Sequence, residues 1–180
     1  MPKQVTVKAR SSSITNAFFN GIIPQIEPTD EEVEDALKVL GMTAETVCCA
    51  YCGDKMSEWD HFHPLVVDKK PTGYITEIHN LVPSCGKCNQ SKGNKEWKEW
   101  MNSNAQKSPK TRGVANLEQR IKQLEEYENH FKPKKHDIKA IVGEELWKKH
   151  LKNLNDIINM MNVAQHTSDE IQEILKNKIH

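Results

Sequence analysis

The chain has 180 residues, of which 28% are charged and 37% hydrophobic, and its formal net charge is zero. These values are ordinary for a globular protein built around one domain or one compact core. No apolar run approaches the roughly 20 residues that span a bilayer, and MPKQVTVKAR at the N-terminus contains no apolar signal segment. The composition therefore predicts a soluble intracellular protein.

The N-terminal quarter contains one clear helix signal. The first two dozen residues are predicted to be irregular, although VTVKA (residues 5–9) has the composition of a short strand. At Thr29 the sequence TDEE offers a capping box between Thr29 and Glu32. Apolar residues then follow at helical spacing up to Gly41, where we expect the helix to end.

The C-terminal half is predicted to be helical. Residues 102–113 are polar and predict a linker or an exposed loop. Beyond them apolar residues recur every three or four positions over 114–131 and again over 138–161. A last short helix is predicted after Thr167, where a second T-x-x-E cap occurs. We interpret these stripes as packing faces, with a dimer seam as the alternative.

Two C-x2-C pairs, CAYC and CGKC, are separated by 32 residues and predict a metal site. Thiolate sulfurs hold zinc tetrahedrally, and four of them close the site to substrate, so its role would be structural. We assign the ligands as Cys49, Cys52, Cys85 and Cys88. Cys48 could replace Cys49, but only Cys49 matches the two-residue gap of the other pair.

Between the two pairs lies EWDHFHPLV, residues 58–66, which groups Asp60, His61 and His63. The apolar runs PLVV and YITEI on either side of Pro71 and Gly73 predict two paired strands. The second cysteine pair then opens a helix carrying CGKCNQSKGNKEW. Two strands and a helix joined by zinc make a ββα arrangement within an α+β fold.

The ordered motifs C-x-Y-C-G, D-H-x-x-P and N-L-x-x-x-C-x-x-C-N-x-x-K-G resemble the HNH endonucleases, which are ββα-metal nucleases. The resemblance covers residues 49 to 93 and neither flank. It implies that Asp60 binds a catalytic divalent cation and that His61 is the general base. Asn80 would brace the loop that carries the histidine, and Asn89 would be the second metal ligand.

Asn89 is a departure from many HNH enzymes, which have histidine at this position. Because carboxylate and amide oxygens are hard ligands, the H-N-N variant favours Mg²⁺ or Mn²⁺. An imidazole with a pKa near 6.5 is a suitable base at neutral pH, so the residue types fit phosphodiester hydrolysis.

DNA contacts are predicted from basic residues and from one histidine. Acidic residues outnumber basic ones by ten to two over 21–60, whereas basic ones lead by fifteen to nine over 81–151. Two differently solvated surfaces explain this asymmetry equally well. The predicted DNA-binding residues are Lys92, His63, Lys107, Lys110 and Arg112, with the Lys132, Lys134 and Lys135 cluster as a further candidate.

The sequence thus predicts three segments: an extension over 1–46, a nuclease core over 47–102 and a helical region over 103–180. The function expected from the resemblance is a type II restriction-like endonuclease that cuts double-stranded DNA as a homodimer in the cytoplasm of a bacterium or phage-infected cell. The alternatives are a phage or mobile-element homing or nicking enzyme, a toxin or RNA-directed nuclease, and a zinc module that only binds DNA or protein.

Overall fold

A computed structural model describes residues 4–179, which contain seven α-helices and four short strands. In chain order these are α1 (Ser11–Asn20), α2 (Asp30–Val39), β1 (Glu58–His61), β2 (Val66–Val67), β3 (Lys70–Pro71), β4 (Leu81–Ser84), α3 (Gly86–Lys92), α4 (Trp97–Met101), α5 (Leu117–Phe131), α6 (Ile138–Val142) and α7 (Glu144–Ile179), with 3-10 helices at Val7–Arg10 and Ile78–Asn80. The described residues divide into two compact units, 23–136, and 4–22 together with 137–179. The α+β class and the helical flanks predicted from the sequence are confirmed.

The capping box predicted for α2 is present. Thr29 Oγ1 accepts a hydrogen bond from the Glu32 backbone N–H, and the Glu32 carboxylate accepts one from the Thr29 N–H. Each of these bonds satisfies an amide at the helix start that has no partner within the helix. Gly41 follows the helix with a φ of 68°, a left-handed conformation that favours glycine.

The sheet at the centre of unit 23–136 differs from the predicted one. β1 pairs antiparallel with β4, so that Asp60 lies opposite Val82 and His61 opposite Leu81. The segment YITEI forms no strand, and β2 pairs instead with β3 in a two-residue hairpin. The prediction was wrong for two reasons. PLVV and YITEI have strand composition, and the strand that does pair with β1 contains Pro83, a residue type that usually argues against a strand.

The core of this unit is aromatic and includes α5. Phe62 stacks on Trp97, Tyr51 meets Trp100 edge to face, and Trp97 and Trp100 are both buried. Tyr127 of α5 is also buried, and its hydroxyl donates to the carbonyl groups of Ile78 and Leu81. Because α5 packs on this core, the compact unit continues to residue 136, beyond the boundary predicted at residue 102.

The other unit is helical, and two predictions differ there. Residues 11–20 form α1 rather than an irregular segment, and Val7–Arg10 form a 3-10 helix rather than a strand. α7 continues through Thr167 as one helix of 36 residues. The T-x-x-E sequence at Thr167 is not a cap because no glycine or proline interrupts the preceding turns.

Several large apolar side chains of α7 are solvent-exposed in this unit. Met160, Val163, Ile171 and Ile174 are each exposed by more than half of their surface. Within residues 4–179, no helix combines the length and the apolar character that crossing a bilayer requires.

Candidate active site and zinc centre

The four predicted cysteine ligands lie together. Their sulfur atoms are all within 4.8 Å of one another, and Cys52 Sγ is 3.7 Å from Cys85 Sγ. Tetrahedral zinc with Zn–S bonds of about 2.3 Å separates its sulfurs by about 3.8 Å. Cys48 lies outside the cluster, which resolves the choice between Cys48 and Cys49. The donor set and its spacing therefore fit a structural zinc ion.

Arg112 supplies a positive charge beside the cysteine cluster. Hydrogen bonds within the cluster lower the pKa of Cys49 and raise that of Cys88, and the thiolate is the form that binds zinc. The Arg112 guanidinium donates to Cys88 Sγ at 3.3 Å and to Asp54 at 2.8 Å. The guanidinium thus faces the sulfur atoms and Asp54, and a DNA contact by Arg112 stays a prediction.

Asp60 lies in a buried polar network between β1 and α3. Its side chain is 4% exposed, and Oδ2 accepts a hydrogen bond from the Tyr51 hydroxyl at 2.6 Å. Lys92 Nζ lies 3.1 Å from the same oxygen and donates to the His61 carbonyl oxygen at 2.7 Å. Lys92 therefore connects α3 to both predicted catalytic residues of β1.

The burial of Lys92 disagrees with its predicted role. The side chain is 0% exposed, so its ammonium group cannot reach a DNA phosphate in this structure. Burial raises the pKa of Asp60 and lowers that of Lys92, while the opposite charge of each partner counteracts both shifts. The contact of the two groups thus stabilises their charged forms.

His61 ends β1, and its imidazole contacts the loop that precedes β4. Nε2 lies 2.9 Å from the hydroxyl oxygen of Thr76. Burial, followed by the charge of Lys92, lowers the pKa of His61 to about 4. The ring is therefore neutral near pH 7, and it uses Nε2 for this contact, which leaves Nδ1 for a reacting group.

Asn80 holds the loop after β1 from within the core. Its side chain is 0% exposed; Oδ1 accepts from the His63 backbone N–H at 2.8 Å, and Nδ2 donates to the carbonyl groups of His63 and Ile75. The predicted brace is thus directed at the backbone of His63, two residues beyond His61. Its importance for catalysis stays a prediction.

The imidazole of His63 is also enclosed. It is 5% exposed, with Nδ1 3.2 Å from Glu96 and Nε2 3.1 Å from Glu128. Its ring stacks on Tyr74 at 4.4 Å. Both ring nitrogens therefore face carboxylates of the protein, and a DNA contact by His63 stays a prediction.

The donor set at the predicted catalytic cation site is chemically suitable for Mg²⁺ or Mn²⁺. Asp60 Oδ1 takes part in neither of the two Oδ2 contacts, and Asn89 is a half-buried residue of α3. Among residues 4–179, the Asn89 side chain forms no hydrogen bond, so its amide oxygen is free of internal partners. Carboxylate and amide oxygens are the ligands that hard divalent cations prefer.

Two important contacts had no signal in the sequence. Tyr51 reaches Asp60, and Thr76 reaches His61, across nine and fifteen residues of chain. The first depends on how the turn between Cys49 and Cys52 packs against β1, and the second on how the loop between β1 and β4 folds back, neither of which residue spacing reveals. Lys107 and Lys110 lie in the loop 102–116 and form no ion pair with another described residue, so their role as DNA contacts stays a prediction.

Comparison with known families agrees with this geometry. The family model described as HNH endonuclease matches residues 49–95, a range that includes all four cysteines, Asp60, His61, Asn80 and Asn89. No curated protein and no solved structure matches the chain. The chain therefore contains an HNH endonuclease domain, as the motifs predicted, and the class of protein is a nuclease.

Proposed function

We propose that the chain is a metal-dependent endonuclease that hydrolyses phosphodiester bonds of double-stranded DNA, with His61 as the general base. Asp60 and Asn89 hold a catalytic Mg²⁺ or Mn²⁺ ion, and Asn80 braces the loop after β1. The enzyme is of the type II restriction kind, sequence-specific and cytoplasmic. The HNH domain over 49–95 supports the general activity, and the local contacts support the individual roles.

The observation that carries this proposal is the position of His61, which ends β1 directly after Asp60 and lies inside the range matched by the HNH family model. Burial lowers the pKa of His61, so the imidazole is neutral at physiological pH and one ring nitrogen can accept a proton. We assign the N–H to Nε2, which donates to the Thr76 hydroxyl oxygen and orients the ring, so that Nδ1 takes the proton from the attacking water. Such a positioned base typically contributes about 10²–10⁴-fold to the rate.

The other residues support this base. Lys92 compensates the buried charge of Asp60 and, through the His61 carbonyl, keeps the end of β1 against α3. When bound, a divalent cation supplies charge neutralisation at the phosphate and stabilises the leaving 3′ oxygen. Asn89 lies on the same short helix as Lys92, so α3 connects the metal ligands with the base.

Plasmid cleavage tests the proposal. Purified protein is incubated with supercoiled plasmid in buffer with or without Mg²⁺, and zinc content is measured in both samples. We expect cleavage only with Mg²⁺, and a loss of about 10²–10⁴-fold in His61→Ala. His130→Ala, which removes an exposed histidine of α5, is the matched control and should cut at the wild-type rate.

The products separate the competing functions. Discrete bands support a restriction-type enzyme, a smear indicates low specificity, and open circles alone indicate nicking. If zinc-loaded protein leaves plasmids of varied sequence intact in both Mg²⁺ and Mn²⁺, the nuclease proposal is contradicted. The non-catalytic DNA-binding module is then the function that remains.

The proposal includes a homodimer, because a chain with one active site needs a second copy to cut both strands. The exposed apolar residues of α7 support this part, since large apolar patches often mark protein contacts. Ile171→Lys combined with Ile174→Lys should give a monomer by light scattering and open circles instead of linear plasmid. A wild-type protein that is already monomeric at micromolar concentration would contradict the dimer without affecting the nuclease assignment.

A further inference from the structure

Three lysines outside the family match are attached to the loop that carries Thr76. α5 ends at Phe131 and is followed by Lys132, which adopts a left-handed conformation with a φ of 49°; Pro133 prevents the helix from continuing. Residues 132–136, with the sequence KPKKH, then cross the loop, and we call them the basic strap. This segment has no acidic residue.

The basic strap is fixed by two contacts with the loop. The His136 backbone N–H donates to the Gly73 carbonyl oxygen at 2.8 Å, and Lys135 Nζ lies 5.2 Å from the centre of the Tyr74 ring. At Gly73 the φ is 98°, and an added Cβ would lie 2.7 Å from the His136 oxygen. The close approach therefore requires glycine at this position.

The same loop reaches the base. Thr76, three residues after Gly73, contacts His61 Nε2 at 2.9 Å, and Tyr74 stacks on His63. The β2–β3 hairpin that precedes the loop exposes Lys69 and Lys70. Two of these five lysines thus lie on the segment that follows His61, and the other three lie on the basic strap that is bound to this segment.

These ammonium groups are available to an external anion. Lys69, Lys70, Lys132, Lys134 and Lys135 are all exposed, and none forms an ion pair with another residue in the range 4–179. Glu96 and Glu128 are the carboxylates whose charges act on Tyr74, but both contact the His63 ring.

We propose that the basic strap is a phosphate-binding surface that holds duplex DNA beside His61. This inference rests on the proposed function and adds to it the element that binds the DNA backbone. Exposed lysines contact phosphates without reading the sequence, so the strap supplies affinity and register. Each phosphate contact releases counterions and contributes about 0.9 to the slope of log affinity against log salt.

The test measures DNA binding by a triple variant, Lys132→Gln, Lys134→Gln and Lys135→Gln. Fluorescence anisotropy with mixed-sequence duplex DNA is recorded without Mg²⁺ between about 50 and 200 mM salt. The salt slope should fall by about 2.7, and the Kd at the lower salt should rise at least about 10-fold.

A matched control removes the same charge elsewhere. Lys38→Gln, Lys55→Gln and Lys122→Gln replace exposed lysines of the same unit that lie outside the strap and the loop. The salt slope of this variant should differ from the wild-type slope by no more than about 0.9, the contribution of one phosphate contact. Gly73→Ala retains every lysine but displaces the strap, and it should also weaken binding without Mg²⁺.

The outcomes separate the two proposals. A strap variant with the wild-type slope and Kd overturns the strap proposal while cleavage by the wild type still supports the nuclease. A control variant that weakens binding as much as the strap variant also overturns it, because general charge would explain the effect. A wild type that binds duplex DNA with the predicted strap dependence but never cuts it contradicts the proposed nuclease function and leaves the strap intact.

Discussion

Two buried clusters within unit 23–136 differ in how they are assembled. The zinc centre consists of four cysteines from two turns, and their sulfur atoms all lie within 4.8 Å of one another. The Asp60–His61 site has its two named residues on one strand, but Tyr51, Thr76 and Lys92 determine the surroundings of these side chains. The first cluster is complete within the two cysteine pairs, whereas the second depends on side chains from three other segments of the chain.

This difference follows from the chemistry of each cluster. A metal ion joins ligands at fixed distances, so the two-residue gap in each cysteine pair is a strong constraint. A buried carboxylate needs a cation or hydrogen-bond donors, but any nearby element can provide them. Spacing therefore predicts the zinc ligands better than it predicts what holds the catalytic residues.

The largest expected effect comes from breaking the zinc cluster. In Cys49→Ser, or after zinc removal by a chelator, unit 23–136 should lose its cooperative unfolding transition. Structural zinc contributes about 10–16 kcal/mol to small zinc-dependent folds, more than this core would replace. Circular dichroism melting and zinc content per chain measure the effect.

Cys48→Ser is the control, because Cys48 lies outside the cluster. It should retain one zinc ion per chain and the wild-type melting transition. Equal zinc loss in Cys48→Ser and Cys49→Ser would show that the ligand assignment is incorrect.

A smaller but still large effect is expected from Lys92→Met. The substitution leaves the Asp60 carboxylate buried without its cation, which typically costs about 3–5 kcal/mol. Urea unfolding should show this loss, and a double variant that adds Asp60→Asn should recover much of the stability but no cleavage. If Lys92 were an exposed phosphate contact, stability would be unchanged and only DNA affinity would fall.

The smallest effect concerns Thr76→Val, which keeps the shape of the side chain and removes its hydroxyl. Loss of the contact with His61 Nε2 should lower kcat roughly 2- to 10-fold, since a hydrogen bond contributes about 0.5–1.5 kcal/mol. Thr46→Val, at an exposed position, should leave kcat unchanged.

The pH profile of the wild type checks the same site. A base with a pKa of about 4 is unprotonated across the neutral range, so kcat should stay level as the pH falls from about 7.5 to about 6. A base at the ordinary value of 6.5 would lose activity over this interval. In Lys92→Met the nearby positive charge is absent, so the pKa of His61 should rise and the acid limb should move to higher pH.

Local signals in the sequence predicted much of the fold. The capping box of α2 and the two C-x2-C pairs that supply the zinc ligands each depend on residues close in the chain. The pairing of β1 with β4 was missed because Pro83 in β4 argued against a strand, and stronger strand composition lay elsewhere.

The sequence also did not reveal which polar residues near the site are buried. Lys92, His63 and Arg112 are polar residues near a predicted catalytic site, and this made DNA contacts a reasonable expectation for all three. Their internal partners, Asp60, Glu96, Glu128 and the Cys88 thiolate, come from distant segments. Only tertiary packing distinguishes such residues from exposed ones.

The position of Tyr51 couples the two clusters. It lies between Cys49 and Cys52, while its hydroxyl holds Asp60 at 2.6 Å. Zinc-bound thiolates are open to oxidation, and a disulfide between these cysteines would release the metal and reshape the turn that carries the tyrosine. Oxidative damage to the structural centre would then disturb a carboxylate of the catalytic site that no oxidant touches directly.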